Sequence, residues 1–160
     1  EEAIDMRRSI AEIGFRPRAY YATVGPALAD YLNQVGPQLA EGTFTSIHWS
    51  PSVEFGPGDH DKFLEPFLRA HESQPSYHAA MAYSAGQVLS EAINRAGTID
   101  RDKVREMLYS LDMLTIGGRY GVDATGMQAK HFPLSAQWQS GRLEVVWPEG
   151  VAGKSAEFSD

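Results

Sequence analysis

Residues 75–97, PSYHAAMAYSAGQVLSEAINRAG, decide how the chain is read. Pro75 holds the residue before it extended and lets a helix begin within a few positions. Met81, Ala85, Val88, Leu89, Ala92, Ile93 and Ala96 then recur at the spacing of one helical face. Residues 79–83 are apolar almost all round, which predicts burial of the first turns on more than one side, while Ser90, Glu91, Asn94 and Arg95 face water. Gly97 supplies a left-handed stop. Taken alone, the stretch is a core helix.

Upstream of it, helices and strands alternate. Residues 1–13 read as a helix with acids in its first turn and Ile4, Ile10 and Ile13 on a partial apolar face; Gly14 ends it and Pro17 bars continuation. Residues 18–22 suit a short strand, Thr23-Val24-Gly25-Pro26 a strand-to-helix turn with Pro26 at the first helical position, and Ala27, Leu28, Tyr31, Leu32 and Val35 a helical face reaching Gly36-Pro37. Residues 43–49, TFTSIHW, form the next strand. An α-β-α-β order with short connections predicts an α/β fold, an open and mostly parallel sheet with helices on its faces. A crossover needs a strand at both ends, yet this chain opens on a helix and on Glu1. The expectation is that it begins inside a domain and exposes apolar surface unless an upstream half of the same protein, or a second copy, covers it.

Residues 50–58 are loop by their Pro and Gly content, and 59–72 resume a helix with Phe63, Leu64, Phe67 and Leu68 on one side and Pro66 as a kink or a true start. Downstream, Asp100 caps a helix over 101–111 with Val104, Leu108 and Leu111 inward. Residues 115–128, carrying Gly117, Gly118, Gly121 and Gly126, predict turns and short extended pieces. The end is a β-hairpin: Leu134, Ala136 and Trp138 alternate with polar Ser135, Gln137 and Gln139, Ser140-Gly141 turns, and Leu143, Val145 and Trp147 alternate back. Trp138 and Trp147 are expected to pack as a pair. Residues 148–160 have little to bury and are expected to be loose.

Composition narrows the function classes. The 160 residues carry a net charge of −7 with no Lys/Arg cluster, which argues against nucleic acid, and no run approaches a membrane span. The absence of cysteine removes disulfides, thiolate catalysis and zinc-thiolate sites. Asp59, His60 and Asp61, with His71, Glu72 and His48, are the one cluster with metal-ligand chemistry. It lacks an H-x-x-x-H pair on one helix face, and Asp59 to Asp61 stand where a cap and first-turn acids belong. His78 has no serine or carboxylate at a triad spacing, the glycines form neither G-x-G-x-x-G nor a P-loop, and the glutamates are scattered. No catalytic residue, metal or cofactor is expected.

Binding requires less. In open α/β sheets ligands sit beyond the carboxyl ends of the strands. That places Tyr21, Thr23, Val24 and Gly25 at one strand end and His48 and Trp49 at the next: a hydroxyl, a glycine that admits close backbone approach, and a helix N-terminus after Pro26 that favours a carboxylate.

The pattern P-x-Y-x-A-A-x-A-Y-x-A over 75–85, running into A-I-x-x-A-G over 92–97 and D-x-x-x-V over 100–104, resembles the periplasmic solute-binding proteins of ABC transporters, in the branched-chain amino acid and amide branch with the type I fold. GRYGVD at 118–123, ATG at 124–126, QWQSG at 137–141 and VVWP at 145–148 resemble that family's closing segment in the same order. The resemblance implies the C-terminal half of a two-lobed protein: 1–74 as part of the second lobe, 75–118 as helices returning to the first, 119–148 as closing segments and hairpin near the second, and 149–160 as tail. It further implies a periplasmic or extracellular protein that captures a small solute by hinge closure and delivers it to a membrane permease. The ligand residues it implies are Tyr21, Thr23, Gly25 and Trp49 from one lobe and Tyr77 from the other. Family members often place an acid in the first of these turns to hold a ligand ammonium; here the turn is Thr23-Val24-Gly25, which leaves amides, urea-like compounds and aromatic or aliphatic carboxylates beside amino acids. A ligand-sensing domain of a receptor or regulator, and a small hydrolase or metal enzyme resting on His60 and His71, are the rival readings.

Overall fold

The computed structural model describes residues 1–56 and 59–159, with every side chain among them except those of Ala29 and Asp59. The capping or ligating role expected of Asp59, and positions 57 and 58 of the preceding loop, lie outside the described residues. The chain divides into two compact units, residues 1–52 with 133–160, and residues 53–132.

The first unit is a four-stranded sheet carrying helices. Helix α1 (Glu2–Glu12) leads to β1 (Tyr20–Tyr21); a 3-10 turn (Gly25–Ala27), α2 (Ala29–Val35) and α3 (Pro37–Ala40) then connect to β2 (Thr43–Ile47). The last two strands, β5 (Leu134–Gln139) and β6 (Arg142–Trp147), complete the order β1-β2-β5-β6. β1 pairs with β2 in parallel, Tyr20 opposite Thr43, and β5 runs antiparallel to both β2 and β6. The tight turn is Ser140-Gly141, with φ of 51° and 74°, the left-handed pair that a two-residue hairpin requires. Ile4, Tyr31, Val35, Ala40 and Trp138 form the core. On α1 the apolar face is narrower than expected: Ile4 is buried, whereas Ile13 is 78% exposed because the helix ends beyond its neighbours.

Three expectations are corrected in this unit. The helix expected to run on from Pro26 is broken at Leu28, whose ψ of 141° is extended. Trp138 and Trp147 do not pair: the register sets Trp138 opposite Leu143 and Trp147 opposite Ser135, and the Trp138 indole donates instead to the Pro26 carbonyl at 2.8 Å. The tail is not loose. Gln137 donates to the carbonyls of Glu157 and Gly42 and accepts from the Glu157 N–H, Gln139 donates to the Ser155 carbonyl, and Phe158 packs on Phe44 with ring centroids 5.5 Å apart. Gln137 and Gln139, expected on a wet face, are therefore 0% and 6% exposed.

The second unit holds α4 (Asp59–His71), α5 (Tyr77–Ala96), α6 (Arg101–Ser110) and the two-stranded ribbon β3 (Met113–Thr115) with β4 (Gly118–Tyr120). At the start of α5 the Ser76 hydroxyl accepts from the Ala79 N–H, and at its end Gly97 is the expected left-handed stop, with φ of 62°. Asp100 likewise accepts from the Lys103 N–H at 3.2 Å and starts α6. Val88, Ala92, Val104 and Leu111 form the core.

The buried seam of α5 is Ala80, Ser84, Val88 and Ala92, rotated from the expected face; Ala85 and Leu89 are exposed, and so are Ala82 and Tyr83. The cause is polar. Ser84 donates to Thr115 at 2.7 Å, Thr115 donates to the Gly118 carbonyl at 2.8 Å, and the Gly117 N–H donates back to Thr115. Gly117 permits this approach, since a Cβ there would lie 2.6 Å from Met81 Sδ. The units also part at 52/53 and 132/133 and not at the expected 74/75 and 118/119. α4 joins the second unit through Phe63 and Tyr83, ring centroids 5.0 Å apart, and 119–132 stay with it through Lys130 on Asp112 and the pairing of Arg119 and Tyr120 with Leu114 and Met113.

Candidate ligand-binding site

The carboxyl end of β1 is fixed by β2. The Ala22 N–H donates to the Phe44 carbonyl at 3.1 Å, extending the parallel ladder one residue past β1, and the Thr45 hydroxyl, itself wholly buried, donates to the Thr23 carbonyl at 2.7 Å. The turn at 23–25 is thus anchored by its backbone and the Thr23 side chain is left exposed. Tyr21 is 52% exposed, and its hydroxyl lies 2.6 Å from Ser46 Oγ, which orients the ring along the edge of the pair. Tyr21 and Thr23 thus present hydroxyls outside the core, the kind of group that fixes a small polar solute.

Gly25 serves packing as well as access. A Cβ there would stand 2.7 Å from Ala3 Cβ, so glycine is what lets α1 lie against the turn. The helix N-terminus expected after Pro26 is replaced by the three-residue 3-10 turn, and its Pro26 is buried. Trp49, just past β2, is 2% exposed, and its ring is packed.

Tyr77 opens α5 in the second unit, half-buried and stacked on His78 at 4.0 Å between centroids; burial pushes its phenol up. Tyr21, Thr23 and Gly25 therefore share one turn, Trp49 ends the neighbouring strand, and Tyr77 stands apart in the other unit. Two residues that support the turn were missed from the sequence, Thr45 and Ser46. The TFTSI alternation put them on opposite faces, but which hydroxyl meets which backbone group depends on the parallel register.

Among the described residues no group of three His, Asp or Glu is placed to hold a metal ion. His60 and His71 lie at opposite ends of α4, and His71 packs on Phe67 at 4.4 Å. Among the described residues no helix is long and apolar enough to cross a membrane.

Against known proteins, the family described as "Periplasmic binding protein" matches residues 2–142. The Leu/Ile/Val-binding protein homolog 7 of Brucella suis is 25% identical over 149 residues, 88% of this chain and 37% of the relative. Homolog 8 of Brucella abortus is 27% identical over 156 residues, 92% of this chain and 38% of the relative. Among solved structures, the leucine-binding protein LivK of Thermotoga maritima superposes with a TM-score of 0.76 at 25% identity, over 90% of this chain and 40% of that one. LivJ of Streptococcus pneumoniae, solved in complex with isoleucine, gives 0.74 at 18% identity over the same shares, a likeness of fold. This chain thus spans about two fifths of the length of these relatives. With its sheet flanked by helices and a match over nearly its whole length, the chain belongs to the periplasmic binding protein family and has the type I fold of the branched-chain amino acid-binding members.

Proposed function

We propose that the protein carrying this chain captures a small solute between two lobes and presents it to the permease of an ABC transporter, outside the cytoplasm and without catalysis. The observation that carries this reading is the family match over residues 2–142 together with a hydrogen-bonded turn, 21–25, at the carboxyl end of a parallel strand. Tyr21, Thr23, Gly25 and Trp49 are the contribution of one lobe and Tyr77 that of the other. The upstream half of the same protein supplies the remaining contacts. Closure follows from contacts that a solute makes in the closed state alone, and the permease reads closure.

The turn Thr23-Val24-Gly25 offers no carboxylate to an ammonium, which favours amides, urea-like compounds and aromatic or aliphatic carboxylates over α-amino acids. The test is a thermal-melt panel on the full-length protein across these classes and the branched-chain amino acids. A ligand at 100 times its Kd stabilises the folded state by roughly 2.7 kcal/mol, a readily seen shift. A shift confined to one class supports capture and names the solute; a flat panel on well-folded protein counts against the reading.

A further inference from the structure

At the amino ends of β1 and β2, on the edge of the sheet away from the 21–25 turn, the first unit has an open cleft of about 640 Å³. Its walls come from three places: Arg7 of α1 and the 14–19 connection that follows it, Leu39 and Glu41 around the end of α3, and the tail residues Glu157 and Ser159. Three arginines, Arg7, Arg16 and Arg18, therefore line it in a chain whose net charge is −7. Arg7 is held in place. Its Nε donates to the Leu39 carbonyl at 2.6 Å and its guanidinium lies 5.6 Å from the centroid of the Tyr20 ring, which leaves its terminal N–H groups to the cleft. Arg16 and Arg18 are exposed, and among the described residues neither makes an ion pair with a carboxylate.

The two acids of the lining do not cancel this field. Both carboxylate oxygens of Glu41 accept from the Ser140 N–H, at 3.0 and 2.9 Å, which turns that group toward the hairpin. Among the described lining residues three arginines stand against two glutamates, and planar N–H forks pair with phosphate oxygens two at a time. Beside the charges lies an apolar wall: Phe15 is 59% exposed, with Pro17 and Leu39 next to it.

We infer that this cleft is a second ligand site, distinct from the 21–25 turn, that takes a small phosphate monoester bearing an aromatic group. The dianion is held by Arg16 and Arg18 with Arg7 behind them, and the ring lies on Phe15.

The test titrates the full-length protein with phenyl phosphate and with inorganic phosphate, by calorimetry, at low and at high salt. Phenyl phosphate should bind, inorganic phosphate should bind more weakly for want of the ring contact, and affinity should fall as salt rises. Arg16→Gln with Arg18→Gln should lower phenyl phosphate affinity about tenfold or more, given the worth of charge-assisted pairs. Phe15→Ala should erase the preference for the aryl ester. In the Gln variants the solute that shifts the melt through the 21–25 turn should still do so, which separates this site from that one. No binding of phenyl phosphate to the unmodified protein, or binding that the Arg16→Gln, Arg18→Gln variant leaves unchanged, overturns the inference.

Discussion

Gln137 and Glu157 hold one another through a reciprocal pair: the Gln137 amide donates to the Glu157 carbonyl at 2.6 Å, and its oxygen accepts from the Glu157 N–H at 2.9 Å. The side chain thus acts as an extra piece of backbone, giving the tail the two hydrogen bonds that a neighbouring strand would give it. Gln137→Leu preserves the volume and removes both partners, and should cost about 1–3 kcal/mol by the usual penalty for stranded buried polar groups. Urea unfolding checks this. Deleting residues 155–160 should cost more than Gln137→Leu, since it also removes the Gln139–Ser155 bond and the Phe158–Phe44 contact, and the two changes should combine to less than their sum because they share the Gln137–Glu157 pair.

Thr115 is the hub of the hydroxyl chain beneath α5. Thr115→Val keeps the shape but strands the Gly117 N–H and the Gly118 carbonyl, and the expected loss is about 1–3 kcal/mol. Ser84→Ala removes a donor alone and leaves Thr115 its other partners, so it should cost about 1 kcal/mol or less on the scale of a single net hydrogen bond. The order of the two variants in a denaturant melt is the measurement.

Two glycines should respond in opposite directions. Gly25→Ala places a methyl group 2.7 Å from Ala3 Cβ on the body of α1, and should destabilise by about 1–3 kcal/mol as overpacking does. Gly86 lies within α5 with nothing within 4 Å of a built Cβ, so Gly86→Ala should stabilise by roughly 0.5–1 kcal/mol through helix propensity. Thermal melts of both decide it.

Asp112 accepts two hydrogen bonds from Arg119, at 2.6 and 2.8 Å, and one from Lys130 at 2.6 Å, which together hold its carboxyl well below the usual carboxylate range. A group whose folded pKa is depressed stabilises fully above its unfolded value, near about 3.9, and that contribution is lost as pH falls toward the folded value. The protein should therefore lose stability from about pH 4 downward, and Asp112→Asn should flatten that limb while also lowering stability at neutral pH. Asp123 contributes with the same sign, its carboxylate accepting from the Thr125 hydroxyl and the N–H groups of Thr125 and Met127. Added salt should weaken the exposed Asp112 pairs.

Tyr21→Phe tests the proposed solute turn. The lost hydroxyl is exposed and its hydrogen-bond partner is the Ser46 hydroxyl, so stability should change by less than about 0.5 kcal/mol. Solute affinity should fall several-fold, read as a smaller ligand-induced melt shift in the full-length protein.

What the sequence made legible follows the reach of local rules. The cap at Asp100, the stop at Gly97 and the turn at Ser140-Gly141 depend on neighbours in the chain, and each sits where composition put it. The family resemblance rested on the same short motifs. The misreadings lie where a distant partner decides. On α5 the spacing of apolar residues set Ala85 and Leu89 inward, whereas Ser84 lies in the buried seam with Thr115 beneath it, and Gln137, a polar member of the strand alternation, is covered by the tail. In the candidate site, the position of Tyr21 to Gly25 beyond a strand end was readable, but the break at Leu28 and the burial of Trp49 were not, since both are set by how the connection packs on the sheet.

The first unit is assembled from the two ends of the chain, and the Gln137 side chain bonds to the Gly42 carbonyl across 95 residues of sequence. During synthesis, β1 and β2 leave the ribosome long before β5 exists to pair with them, whereas residues 53–132 emerge as one contiguous block. The helical unit can therefore condense early from near-neighbour contacts, and the sheet must wait, open-edged, for the last strands and the clasping tail. Within residues 1–159 the sheet of the first unit closes its order β1-β2-β5-β6 only after residues 53–132 have been made.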